Sequence, residues 1–262
     1  MPAIMRIARR HKVAVIEDVA QGYMCRIGGQ LCGTFGDIGC FSLNETKHIG
    51  AGDGGMLITN DAKLAERADL FADKCYDREG KGFQPFFAPY NYRLNNLVAA
   101  VCLEQLKLVR RVTARRHRWG DRLSAALAKL PRMIPLKVLP GGYCTYYYYS
   151  FHVDEREAGA TAEQYAEALQ AEGVPVSAAG RYNAMQWPLF RDKVVNRHAC
   201  ACACPLYEGS VDYDIAHYPG VEAAGRGACA MPISEFWTSE DIAETIAAFR
   251  KVSRHFAGGR RG

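Results

Sequence analysis

The sequence contains no long uninterrupted apolar run. Nowhere do about 18 apolar residues follow one another, which is the length that a membrane-crossing helix requires. The stretch from Met1 to Lys12 also lacks the apolar core of a secretory signal peptide. We therefore expect a cytoplasmic protein without a membrane span.

A strong excess of charge of one sign is also missing. Lysine and arginine total 33 and aspartate and glutamate total 28, which leaves a net charge of +5. The basic residues are scattered, apart from short clusters such as residues 110–111 and 115–116. Such clusters are typical of a solvated surface, so we predict no nucleic-acid partner. With 262 residues, 49% of them hydrophobic, the chain is long enough to bury a substantial core.

The ten cysteines do not have the arrangement of a disulfide framework. Most stand singly in apolar runs, as Cys40 and Cys102 do, which is typical of buried thiols in a reducing compartment. Cys200, Cys202 and Cys204 alternate, but they lack the C-x-x-C spacing of ordinary zinc sites. We predict thiols there and no metal site, with zinc binding as the alternative.

The most informative stretch is residues 37–60, which reads DIGCFSLNETKHIGAGDGGMLITN. Two short apolar runs, residues 38–43 and 56–58, predict buried strands, and Lys47 lies on the loop between them. Glycines that return the chain to the second strand permit backbone angles that other residues avoid. A lysine held on such a loop and partly removed from solvent is typical of an amine that forms a Schiff base. The neighbouring His48 is predicted to be structural.

A carboxylate follows another predicted strand. Residues 13–17 form an apolar strand that leads into Asp18 and Gln21. Open α/β sheets bind their ligands at the carboxyl ends of strands, which is where Asp18 stands. A carboxylate there suits the pyridine nitrogen of an electron-sink cofactor such as pyridoxal phosphate (PLP).

Four motifs occur in a fixed order along the chain: VIEDVAQ, GTFGDIGCFS, GDGGMLITND and NYRLNNLVAA. Together they resemble the DegT/StrS family of sugar aminotransferases, from about residue 4 to the last helix. The resemblance implies the α/β architecture of fold-type I PLP transferases, with a mixed large-domain sheet covered by helices and a small α+β domain. We expect the large PLP-binding domain in residues 1–130 and the small C-terminal domain in residues 131–262.

The resemblance also implies a role for each candidate site residue. Lys47 would be the catalytic lysine that binds PLP as a Schiff base, and Asp18 would keep the ring nitrogen protonated. Gln21 would contact the ring hydroxyl and Ser42 the phosphate. Asn91 would reach the phosphate in the neighbouring subunit, so a homodimer with shared active sites is implied.

The implied reaction is amino transfer. Glutamate or glutamine would donate the amino group, and a nucleotide-linked keto-sugar or a keto-cyclitol would accept it. Relatives that carry histidine in place of the lysine perform dehydration, and Lys47 argues against that branch. Two alternatives stay open: another PLP reaction on the same scaffold, and a non-catalytic or regulatory relative.

Family members usually carry an additional N-terminal segment, with early sheet strands, a phosphate-gripping helix and an aromatic residue that stacks on the pyridine ring. We expect this portion to be absent, which would leave an open sheet edge and an exposed apolar face. A fragment, a start assigned to an internal methionine, or a short inactive relative would each explain it. We expect weak or no PLP binding by the 262-residue chain alone.

Periodicity and turn residues predict the remaining elements. The final helix should begin near Thr238, and Thr161 with Gln164 should form a capping box at another helix start. The other expectations are helices at 3–11, 61–74, 97–130 and 161–172, a loop at 76–90, an alternating strand at 143–153, and irregular structure at 180–235.

Overall fold

The computed structural model describes residues 1–78, 80, 82–83, 85, 87–180, 183–192 and 212–258. The chain divides into two compact units. The first comprises Met1–Gly120 and Lys137–Tyr147, and the second comprises Asp121–Leu136 and Tyr148–Gly262. The domain boundary predicted between residues 130 and 131 stays a prediction.

Helices and short strands are distributed along both units. The helices are α1 (Pro2–His11), α2 (Ala62–Ala72), α3 (Asn96–Leu127), α4 (Glu155–Ala158), α5 (Ala162–Ala171), α6 (Pro188–Arg191), α7 (Pro219–Arg226) and α8 (Ser239–Gly258). The strands are β1 (Ile16–Asp18), β2 (Arg26–Ile27), β3 (Gln30–Leu31), β4 (Ile38–Ser42), β5 (Gly55–Ile58), β6 (Tyr76–Asp77), β7 (Gly82–Phe83), β8 (Met133–Pro135), β9 (Gly142–Tyr143), β10 (Tyr148–Val153), β11 (Ser177–Ala178) and β12 (Ala228–Pro232). Short 3-10 helices span Ala184–Gln186 and Ile215–His217.

A mixed three-stranded sheet, in the order β1-β4-β5, organises the first unit. β1 and β4 are parallel, with Asp18 opposite Cys40, and β5 returns antiparallel, with Gly55 opposite Ser42. Both apolar runs predicted around Lys47 are therefore strands of one sheet, but the burial predicted for the second run is wrong, because every residue of β5 is exposed. β4 is the central strand, so it is paired with both β1 and β5.

The Glu17 carboxylate ties β1 to the connection that leads into β4. Glu17 is only 5% exposed, and it accepts hydrogen bonds from the backbone N–H groups of Gly33 (2.9 Å), Phe35 (2.6 Å) and Gly36 (2.7 Å). A buried carboxylate is tolerated because these donors replace the water that it loses. The connection is closely packed, since a Cβ at Gly39 would clash with the backbone of Gly33.

A second sheet of the first unit has the order β3-β2-β9 and is antiparallel throughout. Gly28 and Gly29 join β2 to β3 in a two-residue turn with φ angles of 58° and 85°, which glycine adopts without strain. The continuous strand predicted at 143–153 is wrong, because β9 ends at Tyr143 and β10 begins at Tyr148. Tyr146 breaks it: its φ is 47° and its buried ring packs so closely on Gly120 that a Cβ there would clash.

An antiparallel sheet in the order β11-β12-β10-β8 organises the second unit. β10 alternates as predicted, with Tyr149, Phe151 and Val153 buried on one face. α5 packs on strands of this sheet and on α8. The Phe151 and Phe249 rings meet edge to face, with centroids 5.2 Å apart, and so anchor α8 to the sheet.

Other sequence predictions meet mixed outcomes. The capping box at Thr161 and Gln164 is confirmed, and so is the long helix, which spans Asn96–Leu127. The loop predicted at 76–90 is partly wrong, since β6 and β7 form a small hairpin within it. The irregular structure predicted at 180–235 is also partly wrong, because β12 lies there between β10 and β11. β12 consists largely of small residues, which carry little strand signal.

The mixed sheet keeps one apolar face in contact with solvent. Ile16 is 65% exposed and Leu57 is 52% exposed. Both lie on the face that carries Cys40, because Ile16 pairs with Ile38 and Leu57 pairs with Cys40. The exposed apolar face expected from the sequence is thus present.

Helix length and polarity bear on membrane insertion. In the part of the chain that the structure describes, no helix has both the length and the apolar character needed to cross a bilayer.

The Glu17 contacts predict a stability effect. Replacing Glu17 by Gln should lower the free energy of unfolding by about 1–3 kcal/mol, because the amide presents one accepting oxygen and an NH2 group to three N–H donors. Urea unfolding followed by circular dichroism measures the change. Glu66→Gln, on the exposed side of α2, is the matched control and should leave the urea midpoint unchanged. Equal midpoints for both variants would contradict the structural role of Glu17.

Candidate active site

Two polar side chains meet at the carboxyl edge of the mixed sheet. Asp18 ends β1 and Ser42 ends the parallel strand β4, so both lie at the same edge. Asp18 is paired with Cys40, and Ser42 stands two residues beyond Cys40. Because side chains of alternate residues share a face, Asp18 and Ser42 also lie on one face.

The loop that follows Ser42 carries Lys47 and is closed by backbone hydrogen bonds. Leu43 N–H donates to Gly54 O (2.9 Å), Glu45 N–H donates to Gly52 O (2.7 Å), and Ala51 N–H donates to Leu43 O (2.8 Å). Gly52 and Gly54 have φ angles of 95° and 122°, which explains the glycines of the motif. The loop therefore has a defined shape, and Lys47 projects from it.

Asn44 stabilises the turn that precedes Lys47. Its side-chain oxygen accepts hydrogen bonds from the N–H of Thr46 (3.0 Å) and from the Thr46 hydroxyl (2.7 Å). Its amide nitrogen donates to Asp53 (3.1 Å) on the returning part of the loop. Lys47 N–H donates to Asn44 O (3.0 Å). These bonds make the turn a local consequence of the N-E-T-K sequence.

The Lys47 amine lies over an aromatic ring. Its Nζ is 4.4 Å from the centroid of the Tyr147 ring, and the Tyr147 hydroxyl shares a 2.8 Å hydrogen bond with Thr46 Oγ1. Within the described ranges of the chain, no ion pair engages Lys47. The side chain is half-buried, so the amine combines partial shielding from water with access to a ligand.

Beneath Lys47, the loop rests on buried groups. His48 is buried, and its Nε2 donates to Thr145 O (3.2 Å), as expected for the structural histidine predicted from the sequence. Tyr23 donates its hydroxyl to Ser42 O (2.7 Å) and packs against Ile49 and Phe41. Burial raises the pKa of Tyr23 to about 12, so its hydroxyl keeps the proton that this hydrogen bond uses.

Asp18 and Gln21 are both exposed at the strand end. Asp18 Oδ1 accepts a hydrogen bond from Ala20 N–H (2.9 Å), which orients the carboxylate in a short turn. Burial, together with the nearby Asp18 charge, raises the pKa of the Cys40 thiol. Asp18 and Cys40 are paired across β1 and β4, on the face that Ser42 shares.

Asn91 lies beside the end of α2. Its backbone forms an isolated antiparallel bridge with Asp73, just beyond the end of α2. Asp73 also accepts contacts from Lys74, Arg78 and Arg93, and the hydrogen bonds from Lys74 and Arg78 lower the pKa of its carboxyl. The structure thus brings Asp18, Ser42 and the Lys47 loop to one edge but holds Asn91 beside α2.

Tyr147 and Thr145 are site residues that sequence reasoning missed. The tyrosine run at 146–149 predicts core aromatics, and Tyr146 and Tyr149 are indeed buried. Tyr147 instead contacts Lys47 because the positive φ of Tyr146 interrupts the alternation of the strand. The sequence offers no local signal for that break, because tyrosine at positive φ is uncommon.

Over the described residues, no group of three or more histidine, cysteine, aspartate or glutamate side chains is arranged to hold a metal ion. Cys200, Cys202 and Cys204 lie outside the described residues.

The donor set at this edge fits a pyridoxal cofactor. A primary amine not engaged in any described ion pair, on Lys47, suits an aldehyde, and a carboxylate, on Asp18, suits a protonated pyridine nitrogen. The Ser42 hydroxyl and the Gln21 amide add neutral donors for a phosphate and a ring hydroxyl. Each group follows the carboxyl end of β1 or β4, where open α/β sheets bind ligands.

Comparison with known proteins identifies relatives with named activities. The chain is 27% identical to the spore coat polysaccharide biosynthesis protein SpsC of Bacillus subtilis, a match that covers 96% of this chain and 63% of that protein. It is 34% identical to the L-glutamine:2-deoxy-scyllo-inosose aminotransferase of Streptoalloteichus tenebrarius, over 97% of this chain and 62% of that protein. The chain thus spans about three fifths of the length of these relatives.

Solved structures agree on the fold. A DegT DnrJ EryC1 StrS aminotransferase from Brucella abortus is 26% identical, with a TM-score of 0.73 over 97% of this chain and 60% of that one. S. venezuelae DesV, solved in complex with a ketimine intermediate, is 22% identical, with a TM-score of 0.78 over 97% of this chain and 61% of that one. The predicted α/β fold of a PLP-dependent transferase is confirmed. Since the model of the DegT/DnrJ/EryC1/StrS aminotransferase family matches residues 1–222, the chain belongs to that family.

Proposed function

We propose that the protein carrying this chain is a PLP-dependent aminotransferase of sugar or cyclitol biosynthesis. The observation that carries the proposal is the gathering of Asp18, Ser42 and the Lys47 loop at one carboxyl edge of parallel strands. The named activities of relatives, among them a cyclitol aminotransferase and a GDP-perosamine synthase, support the same reaction class.

Each proposed site residue has a distinct task. Lys47 binds the cofactor through its amine, and the Asp18 carboxylate keeps a proton on the ring nitrogen. Ser42 Oγ donates to the phosphate, and Gln21 donates to the ring hydroxyl. PLP, when bound, supplies an aldehyde that accepts the amino group and a ring that withdraws electrons from the reacting carbon.

The proton transfers are assigned to Lys47. Its neutral amine takes the proton from the α-carbon of the amino donor as a general base. The resulting ammonium group then acts as a general acid and returns a proton to the cofactor's C4′, the carbon that receives the amino group. The Tyr147 ring, 4.4 Å from Nζ, and the Asn44 turn keep the amine directed along one path between these positions.

The substrate class follows the relatives more finely. We propose glutamate or glutamine as the amino donor and a nucleotide-linked keto-sugar or a keto-cyclitol as the acceptor. Asn91 is proposed to act on the phosphate bound by the neighbouring subunit of a homodimer. Its position beside Asp73, outside the β1-β4-β5 sheet, is compatible with a role in another subunit.

Lys47 is tested by reductive trapping. Whole gene product treated with PLP and borohydride should become labelled on Lys47, because reduction fixes the cofactor on the amine that binds it. Lys47→Ala and Lys47→Arg should both lose the label, which mass spectrometry of tryptic peptides measures. Lys63→Ala, on the exposed start of α2, is the control and should label normally. Undiminished labelling of Lys47→Arg would contradict the assignment.

Asp18 is tested by removing its charge without changing its shape. Asp18→Asn should lower kcat by about 10²-fold or more, because an amide does not hold a proton on the ring nitrogen. Borohydride labelling of Lys47 should persist, which separates the electronic role of Asp18 from cofactor binding. Asp69→Asn, on an exposed turn of α2, is the matched control. A kcat equal to that of the control would refute the role of Asp18.

The two alternatives predict different results in the same assays. A different PLP reaction on this scaffold would preserve labelling of Lys47 but give no amino transfer in a screen of amino donors. A non-catalytic relative would give neither labelling nor transfer. The solvent-exposed apolar face formed by Ile16 and Leu57 is the observation that favours the second alternative for the chain taken alone.

A further inference from the structure

Three cysteines lie in one row across the small sheet β3-β2-β9. Arg26 pairs with Leu31 on β3 and with Tyr143 on β9. Continuing both registers by one residue places Cys25 opposite Cys32 on one side and opposite Cys144 on the other. Side chains opposite one another on antiparallel strands share a face, so Cys25 stands between two further thiols.

The hydrogen-bond pattern distinguishes the two neighbours of Cys25. Cys32 N–H donates to Cys25 O (2.9 Å), so these residues form a hydrogen-bonded pair. On the other side, Gly28 N–H donates to Gly141 O (2.9 Å), and alternation along the ladder makes Cys25 and Cys144 a non-hydrogen-bonded pair. The Cα atoms of such pairs are about 4.5 Å apart, within the range that a disulfide spans without backbone movement.

Several groups surround the Cys25 sulfur. The Cys144 thiol donates a hydrogen bond to it, its Sγ lies 3.2 Å from Thr145 Oγ1, and His117 approaches from α3 with Nδ1 2.9 Å from Cys144 O. The bond from Cys144, aided by Thr145 and His117, lowers the pKa of Cys25 to about 6. Burial and the charges of Cys25 and Glu17 instead raise the pKa of Cys32. At neutral pH, Cys25 therefore carries more thiolate than Cys32 and is the stronger nucleophile of these two.

We propose that Cys25 and Cys144 are a redox-active pair that closes to a disulfide when the protein meets hydrogen peroxide. Both side chains are half-buried, so a small oxidant reaches them. The Cys25 thiolate attacks one peroxide oxygen, the O–O bond breaks, and Cys25 becomes a sulfenic acid as hydroxide leaves. Cys144 sulfur then attacks Cys25 sulfur, the S–O bond breaks, and water leaves with the thiol proton. Two thiols and one peroxide thus yield one disulfide and two waters.

The pair is joined to the Lys47 loop through Thr145, which is fully buried. Thr145 Oγ1 donates to Tyr23 O (2.8 Å), and Thr145 O accepts from His48, the residue after Lys47. A threonine hydroxyl has one proton, so it serves either the Tyr23 carbonyl or the Cys25 sulfur. Oxidation removes the Cys25 thiolate, which competes for the Thr145 proton. It also links Cys144 covalently to Cys25, next to β2.

We therefore expect the disulfide to change the reactivity of Lys47. Tyr147, three residues after Cys144, contacts both Lys47 Nζ (4.4 Å from the ring centroid) and Thr46 (2.8 Å). A shift of residues 144–147 therefore moves the ring over which the amine lies. This regulatory part rests on the proposed function, whereas formation of the disulfide does not.

Peptide mapping tests the disulfide directly. Trypsin cleaves after Lys12, Arg26, Lys47, Lys137 and Arg156, so Cys25, Cys32 and Cys144 fall in three peptides, residues 13–26, 27–47 and 138–156. After treatment with one equivalent of hydrogen peroxide, peptides 13–26 and 138–156 should be found joined, with the loss of two hydrogen atoms. Cys25→Ser and Cys144→Ser should abolish the joined species, whereas Cys32→Ser and Cys40→Ser should retain it.

A link between peptides 13–26 and 27–47 that Cys32→Ser abolishes would make Cys32 the partner and overturn the pairing with Cys144. Cys25 oxidised to sulfinic acid with no joined peptide would overturn the pair altogether.

The pH dependence of alkylation gives an independent readout. Labelling of peptide 13–26 by iodoacetamide should reach half its maximal rate near pH 6, the pKa of Cys25. Cys144→Ala should move this midpoint upward, because the thiolate loses the hydrogen bond that lowers its pKa most. Cys32→Ala is the matched control and should not raise it. A Cys25 midpoint at the ordinary thiol value of about 8.5 in the unsubstituted protein would contradict the thiolate assignment.

The link to Lys47 has its own test. Borohydride labelling of Lys47 with PLP is compared before and after peroxide treatment, with Cys25→Ser as the variant that does not form the disulfide. We expect peroxide to lower labelling several-fold in the unsubstituted protein and to leave the variant unchanged. Failure of the reduced protein to label would overturn the proposed function while the mapped disulfide stands. Equal labelling of both redox states would overturn only the coupling.

Discussion

The parallel pairing of β1 with β4 is the constraint on which the candidate site depends, and the Glu17 carboxylate maintains it. Three backbone N–H groups of residues 33–36 bond to Glu17, which holds the incoming connection against β1. Because the strands then run side by side in one direction, Asp18 and Ser42 emerge at the same edge. A buried charge that binds only backbone donors fixes geometry without taking part in chemistry.

The segment formed by residues 142–147 gives the first unit a second organising element. Its start completes the small sheet, and its later residues contact the Lys47 loop through Thr145 and Tyr147. The positive φ of Tyr146 interrupts the alternation that continues in β10, and Tyr147 lies over Lys47 instead of entering the core with Tyr149. Thr145 therefore contacts both the cysteine row, at Cys25, and the Lys47 loop, at His48.

The elements with strong local signals were predictable. The capping box at Thr161 and the strands on either side of Lys47 follow from spacing and residue type, and the structure has them where predicted. β12 was not predictable, because a strand of alanine, cysteine, methionine and proline gains its stability from two neighbouring strands. The residue types of the candidate site were predictable, whereas the contact of Tyr147 with Lys47 was not.

The sequence by itself determined the family, the two strands that flank Lys47 and the chemical groups available: an amine, a carboxylate, a hydroxyl and an amide in recognisable motifs. Those properties are local, since they depend on residue identity and spacing. Only the tertiary structure decided that Tyr147 lies over Lys47, that Thr145 bonds to His48, and that Cys25 faces Cys144. Each of these contacts joins residues about a hundred positions apart, and such pairings are set by packing and strand register, which no short stretch of sequence encodes.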